Sequence, residues 1–156
     1  MTPMKQLFIC NNPEETQKWG EHLAKSLKPG DIVALIGELG AGKTVMAQGI
    51  LKGLGVIEPV QSPSFIMIRE YNGRVPVVHI DLYRLRGSED FEALGFEEYF
   101  NGQSIVVIEW ADKIRDLLLN LQGEDTLQHN KKRCHRISIT WGKDRPDQRE
   151  IVYQNS

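Results

Sequence analysis

The sequence predicts an α/β protein built on buried parallel strands, and three features indicate this class. Residues 32–36 (Ile-Val-Ala-Leu-Ile) are apolar throughout, which is typical of a strand covered on both faces. A glycine-rich turn and a segment of helical composition follow this run directly, and residues 104–108 (Ser-Ile-Val-Val-Ile) form a second run of the same kind. With 156 residues, 40% hydrophobic and 26% charged, the chain has the composition of one ordinary folded domain.

The first elements are a short strand and an amphipathic helix. Residues 7–10 are predicted to form the strand, and the helix is expected to run from residue 13 to about residue 27. Asn12 has the character of an N-cap, Pro13 suits the first helical position, and Glu15 is placed to return the capping bond.

After the strand at residues 32–36, a helix is predicted from residue 43 to about residue 51. A hairpin follows, because residues 65–71 and 75–81 read as strands and Asn72-Gly73 between them is the pair that a type I′ turn prefers. The remaining predicted elements are an acidic helical stretch at 89–100 broken at Gly95, the strand at 104–108, a helix at 111–121, a surface loop at 122–133, and paired strands around 137–141 and 151–153.

Charge and cysteine content exclude several classes of protein. Nineteen Lys and Arg residues oppose 21 Asp and Glu residues, a formal net charge of −2, so tight nucleic-acid binding by this chain alone is not expected. Cys10 and Cys134 have no metal-ligand or redox spacing, and free thiols are typical of a reducing cytosol. There is no signal-peptide core and no membrane-spanning apolar stretch, which predicts a cytoplasmic protein.

Residues 37–44 match G-x-x-x-x-G-K-[ST], the phosphate-binding loop (P-loop), between a strand and a helix as that loop requires. Its glycines let backbone N–H groups converge on a phosphate, and the helix N-terminus adds partial positive charge. Lys43 is expected to reach the terminal phosphates, and Thr44 offers a hydroxyl to Mg²⁺. The candidate binding residues are Gly37, Glu38, Leu39, Gly40, Ala41, Gly42, Lys43 and Thr44.

A P-loop protein also needs a carboxylate at the end of a neighbouring strand to hold Mg²⁺ or its water. Asp81 and Glu109 each end an apolar run, so each is expected at the carboxyl edge of the sheet. The alternative is that either residue merely caps the next helix. His79 shares a strand face with Asp81, although a lone histidine there is more often a core residue.

The absence of several motifs narrows the choice of nucleotide and of NTPase class. No Asn-Lys-x-Asp is present to read guanine, and the segment after Asp81 lacks the glycine of a GTPase switch. An ABC-type signature is absent, and an AAA-type module needs far more chain. ATP is therefore the expected nucleotide.

Four motifs together resemble one family, the TsaE family of small bacterial P-loop ATPases in the biosynthesis of tRNA threonylcarbamoyladenosine (t6A). The motifs are the loop at 37–44, Ser62-Pro63-Ser64-Phe65 (similar to Ser-Pro-Thr-[Phe/Tyr]), His79-Ile80-Asp81-Leu82-Tyr83-Arg84 (similar to His-x-Asp-x-Tyr-Arg) and Ile108-Glu109-Trp110 (similar to Glu-Trp). Their order and spacing agree with the family from about residue 12 to residue 111. Ser64 replaces the commoner Thr and keeps the hydroxyl.

The resemblance implies a P-loop NTPase-like three-layer α/β fold, with a mainly parallel central sheet flanked by antiparallel strands, as a single P-loop ATPase domain over residues 1–156. It implies ATP and Mg²⁺ as ligands, with metal contacts from Thr44 and Glu109. Asp81 is then the position that organises the attacking water or the second metal shell, and it joins Lys43 as a candidate catalytic residue. Asn12 corresponds to a position near the nucleotide, although its capping role explains the residue without ATP.

The resemblance also implies an accessory ATPase, weak alone and stimulated by partners. ATP binding would order residues 62–65 and stabilise a complex with TsaB/TsaD-like transferase proteins, and hydrolysis would reset it. Contact with tRNA is expected only through those partners. Two other functions stay open: a small-molecule kinase, with Arg84 and Arg86 as lid residues, and a non-catalytic adaptor that senses nucleotide.

Overall fold

The structure is a computed structural model that describes residues 5–62, 67–122 and 133–155. The strands are β1 Gln6–Cys10, β2 Ile32–Ile36, β3 Ile68–Asn72, β4 Pro76–Asp81, β5 Ile105–Glu109, β6 Cys134–Trp141 and β7 Arg149–Asn155. The helices are α1 Pro13–Ala24, α2 Lys43–Gly53, α3 Ser88–Ala93 and α4 Arg115–Gln122, with 3-10 turns at Phe96–Tyr99 and Ala111–Ile114.

The seven strands of the described residues form one sheet in the order β1-β7-β6-β2-β5-β4-β3. The central strands β6, β2, β5 and β4 are mutually parallel, whereas β1, β7 and β3 pair antiparallel with their neighbours. This confirms the predicted mainly parallel sheet flanked by antiparallel strands. The carboxyl ends of β2, β5 and β4 therefore meet at one edge, where open α/β sheets bind ligands.

Helices cover both faces of the sheet and produce three layers. Alternate residues of β2 show the arrangement, because Val33 and Leu35 pack in the core beneath α1 and α2, whereas Ile32 and Ala34 pack in the core beneath α3 and α4. The fully apolar sequence of β2 follows from this burial on both sides.

The first helix begins as predicted and ends earlier. Asn12 accepts a hydrogen bond from the Glu15 amide at 2.8 Å, but the Glu15 carboxylate accepts from the amide of Asn11 rather than that of Asn12. The helix ends at Ala24, not near residue 27. The Arg74 guanidinium donates to the carbonyls of Ala24 (2.8 Å) and of Leu27 (2.7 Å), so a residue distant in sequence fixes the helix end.

The hairpin is confirmed, but its predicted turn type is wrong. Asn72 is the last residue of β3 and pairs with Pro76, which leaves a three-residue connection at 73–75. Neither Asn72 nor Gly73 has the positive φ of a type I′ turn. The end of α2 selects the turn: a Cβ on Gly73 would lie 2.3 Å from the Leu54 carbonyl oxygen, and the Arg74 amide donates to that oxygen at 2.7 Å.

The rest of the chain follows the expected element order. Gly95, with a φ of 73°, separates α3 from the 3-10 turn as predicted, and β6 pairs with β7. The start of the predicted strand at 65–71 and most of the predicted loop at 122–133 lie outside the described residues. Among the described helices, none combines the length and the apolar character needed to cross a membrane.

Candidate functional site

The glycine-rich loop at residues 37–44 connects the carboxyl end of β2 to the first turn of α2, as the motif predicts. Gly40 and Gly42 have φ values of 79° and 106°, a region that residues with a Cβ rarely adopt. The Ala41 amide donates to the Glu38 carbonyl at 3.0 Å and tightens the loop. These glycines are therefore required by the backbone path of the loop.

Lys43 is folded into this loop. Its Nζ donates to the carbonyl oxygens of Gly37 (2.6 Å) and Glu38 (2.8 Å) and lies 4.0 Å from the centre of the Trp110 ring. Burial lowers the pKa of Lys43 from its ordinary value, and the nearby Glu109 carboxylate opposes that shift. The loop thus holds an ammonium group next to its own backbone, in the position from which it can turn to a phosphate.

The two strand-end carboxylates are neighbours. Asp81 of β4 and Glu109 of β5 are register partners at the ends of parallel strands, and both are buried. Thr44 Oγ1 donates to Glu109 Oε1 at 2.8 Å. The structure places Asp81 and Glu109 at the carboxyl edge of the sheet, as predicted, and brings the Thr44 hydroxyl to the same edge.

His79 supports Glu109 from inside the sheet. The histidine is completely buried, and its Nε2 lies 2.7 Å from Glu109 Oε2. An ionised carboxylate can only accept, so Nε2 carries the proton when Glu109 is charged. Within the described residues Nδ1 has no hydrogen-bond partner.

Asp81 is held by two donors. Its Oδ2 accepts from Ser62 Oγ at 3.0 Å, and its Oδ1 accepts from the Tyr83 amide at 3.0 Å. The carboxylate therefore ties the segment before β3 to the end of β4. Of the Ser-Pro-Ser-Phe motif, Ser62 is described, and Pro63, Ser64 and Phe65 lie outside the described residues.

Residues of the glycine loop, the two strand-end acids and Ser62 line a cavity of about 460 Å³. Its walls are Leu39, Gly40, Gly42, Lys43, Thr44, Val45, Ser62, Asp81, Tyr83, Arg84, Glu109 and Trp110. Gly37, Glu38 and Ala41 shape the loop without lining this cavity. Asn12 is also outside it and caps α1; its neighbour Pro13 lines a smaller cavity of about 100 Å³ that includes Gly40 and Gly42.

Two aromatic side chains, Tyr83 and Trp110, form one wall of the cavity. Trp110 directly follows Glu109, adopts a φ of 60°, and lies 5.1 Å from the Tyr83 ring. Lys113 donates to the Tyr83 and Leu85 carbonyls and fixes the segment after Asp81. In the sequence, Tyr83 and Trp110 could be recognised only because they stand in the motifs that contain Asp81 and Glu109.

Arg149 is a residue that the sequence did not single out. It lies at the start of β7, and its Nε donates to the Ala41 carbonyl at 2.9 Å. No motif surrounds it, and 108 positions separate it from Ala41 in sequence. The pairing of β7 with its neighbours brings it to the loop: Arg149 is in register with Trp141 of β6 and with Cys10 of β1.

The oxygen-bearing side chains of the site suit a hard cation that would also be bound by phosphate oxygens. Thr44, Glu109 and Asp81 present oxygen atoms, the ligands that Mg²⁺ prefers, and Mg²⁺ in such sites uses one or two carboxylates together with phosphate oxygens. Among the described residues, no group of three or more His, Cys, Asp or Glu side chains could hold a metal ion. The sheet, the glycine loop and the strand-end acids define an α/β protein with a P-loop NTPase-like fold.

The chain matches known proteins over most of its length. The family model for the threonylcarbamoyl adenosine biosynthesis protein TsaE matches residues 10–148. The TsaE protein of Bacillus subtilis is 45% identical over 117 residues (74% of this chain and 73% of the relative), and that of Rickettsia felis is 41% identical over 140 residues (85% and 80%). The crystal structure of Bacillus subtilis YdiB is 34% identical with a TM-score of 0.75, over 99% of this chain and 87% of that one. The chain therefore belongs to the TsaE family of threonylcarbamoyl adenosine biosynthesis proteins, as its motifs predicted.

Proposed function

We propose that this chain binds and hydrolyses Mg-ATP as an accessory subunit of the machinery that forms t6A in tRNA. The observation that carries the proposal is the contact between Thr44 and Glu109 at the mouth of the glycine loop, with Asp81 in register beside it. This contact places a hydroxyl and two carboxylates next to a loop whose backbone suits a phosphate. Membership of the TsaE family supports the biosynthetic role.

Each residue of the site would have a role that follows from its chemistry. Lys43 would exchange its two carbonyl acceptors for terminal phosphate oxygens, and the amides at the start of α2 would bind the same anion. Thr44 and Glu109 would hold Mg²⁺, which neutralises phosphate charge. Asp81, buried beside Glu109, is the group that would orient a water for attack.

We propose a link between the nucleotide and the segment around residues 62–65. Ser62 donates to Asp81 at 3.0 Å, so a ligand that engages Asp81 competes for that bond and can reposition the segment. The ATP-dependent surface formed in this way would bind TsaB/TsaD-like transferase proteins. With a net charge of −2, the chain would reach tRNA only through such partners, and the cytoplasm is the expected compartment.

The test follows label on the γ-phosphate of ATP. The purified chain is assayed alone and with the transferase partners, with Lys43→Ala as the site variant. Lys52→Ala is the matched control, because Lys52 lies in the same helix and its exposed side chain contacts only Glu21 among the ion pairs of the described residues. We expect free labelled phosphate, faster with partners, from the wild type and the control, and none above background from Lys43→Ala.

Other outcomes point elsewhere. Transfer of label to a small molecule would make the chain a kinase. ATP-dependent assembly with hydrolysis that partners leave unchanged would make it a nucleotide-sensing adaptor. Glu109→Gln keeps the shape of the side chain and removes its charge, so unchanged Mg²⁺ dependence of that variant would remove Glu109 from the metal role.

A further inference from the structure

The Arg149 side chain braces the outer side of the glycine loop. Its Nε donates to the Ala41 carbonyl at 2.9 Å, and its Nη2 reaches the Gly40 carbonyl at 3.5 Å. The guanidinium also lies 5.5 Å from the centre of the Trp141 ring. One permanently charged group from β7 is therefore bonded to the loop backbone between two glycines of positive φ.

This bond determines where the next amide points. In a trans peptide the carbonyl and the following N–H point in opposite directions. Arg149 fixes the Ala41 carbonyl, so the Gly42 N–H is directed to the opposite side of the same peptide plane, away from the guanidinium. Gly42 lines the cavity that also contains Lys43 and Thr44.

The guanidinium is itself held in place. Nη1 donates to the carbonyls of Pro146 (2.6 Å) and Gln148 (2.9 Å), both in the turn that precedes β7. The Gln148 side chain donates to Asn11 Oδ1 at 3.1 Å and attaches that turn to the connection between β1 and α1. The brace is thus fixed at both ends before any ligand arrives, which is the property of a preorganised site.

We propose that Arg149 is a positioning residue of the phosphate site: by bonding the Ala41 carbonyl, it orients and polarises the Gly42 amide as a donor to a phosphate oxygen. A charge-assisted bond to a carbonyl strengthens the donor at the other end of the same peptide unit. The inference rests on the proposed function, because it requires the loop to bind a phosphorylated ligand. It adds a residue from the last strand, outside the motifs.

The test measures equilibrium binding of Mg-ADP and of inorganic pyrophosphate by calorimetry. Arg149→Met keeps most of the side-chain stem and removes the donors, and Arg149→Lys keeps the charge with a different donor geometry. Arg145→Met is the matched control, an exposed arginine in the same turn. Urea unfolding of each variant without ligand separates loss of the site from loss of the fold.

We expect Arg149→Met to weaken the binding of both ligands about tenfold. This is the size of effect expected for the loss of one charge-assisted hydrogen bond. Arg149→Lys should recover part of the affinity, and Arg145→Met should match the wild type. If Arg149→Met fails to fold, weakened binding of both ligands by folded Arg149→Lys supports the same conclusion, and wild-type affinity in that variant contradicts it.

Two results would overturn the inference while leaving the proposed function intact. Wild-type affinity for both ligands in folded Arg149→Met would show that the brace is unnecessary. Weakened ADP binding with unchanged pyrophosphate binding would show that Arg149 contacts the nucleoside instead of positioning the loop. A wild-type protein that binds neither ligand would overturn the proposed function itself, and this inference with it.

Discussion

Substitution of Gly49 by alanine tests how closely the helix that carries the site packs on its neighbour. Gly49 lies in α2 against α1, and a Cβ built on it would lie 2.1 Å from the Gln17 carbonyl oxygen and 2.8 Å from the Gln17 carbonyl carbon. Real Cβ atoms essentially never approach closer than 3.0 Å. Both obstacles are backbone atoms, so no side-chain rotation can relieve the contact.

Two opposing effects set the size of the change. Alanine favours a helix over glycine by about 1 kcal/mol. Against this gain, the helices must separate by about 0.9 Å along the contact, and overpacking of this kind costs about 3 kcal/mol or more when backbone must move. We therefore expect Gly49→Ala to lower the free energy of unfolding by about 2 kcal/mol or more, which lowers the melting temperature by roughly 4 to 8 °C.

The assay is urea unfolding followed by circular dichroism, with thermal melting as a second readout. Gly87→Ala is the control, because Gly87 has an extended backbone with a φ of 170° and the nearest atom to its added methyl group is 3.9 Å away. That control should unfold within about 0.5 kcal/mol of the wild type. A Gly49→Ala protein as stable as the wild type, or more stable, would refute the close packing of α1 on α2.

Three further predictions concern the site and the first helix. His79→Leu removes the donor to Glu109, so it should raise the Mg²⁺ concentration for half-maximal hydrolysis by about tenfold; an unchanged Mg²⁺ requirement would contradict the supporting role. Nucleotide binding should change tryptophan emission; Trp110→Phe should reduce that change, whereas Trp19→Phe should keep it, because Trp19 packs against Phe8 and Tyr153. Arg74→Met should lower the free energy of unfolding by about 2 kcal/mol, because two carbonyls near the end of α1 lose a charged donor; urea unfolding equal to the wild type would show that water replaces it.

The sequence predicts the site well where the determining pattern is local. The apolar run of β2, the spacing of the glycines and the position of Lys43 all lie within 13 residues, so composition and turn chemistry are sufficient to interpret them. Asp81 and Glu109 are further apart in the chain. Their proximity could still be predicted, because each ends an apolar run and parallel strands end at one edge of a sheet.

Prediction from sequence is weaker where a residue acts on a distant backbone segment. The Leu54 carbonyl excludes the expected turn at Asn72, Arg74 fixes the end of α1, and Arg149 braces the glycine loop. Each contact joins residues that only the tertiary fold brings together. Their own neighbours in sequence carry no periodicity or motif that indicates the contact.

Under the proposed function, a nucleotide would enter a site whose polar groups are already hydrogen-bonded to one another. Lys43 donates to two loop carbonyls, Thr44 donates to Glu109, and Ser62 donates to Asp81, so these groups already have partners within the protein. A phosphate must replace several of these bonds, and the net affinity is the difference between the new bonds and the old ones. Under the proposed function, the same exchange would free Glu109 and Asp81 from their hydroxyl donors, Thr44 and Ser62, for Mg²⁺ and water. Under the proposed function, a ligand that engages Asp81 would compete with the Ser62–Asp81 hydrogen bond, and this shared bond would couple ligand binding to the position of Ser62.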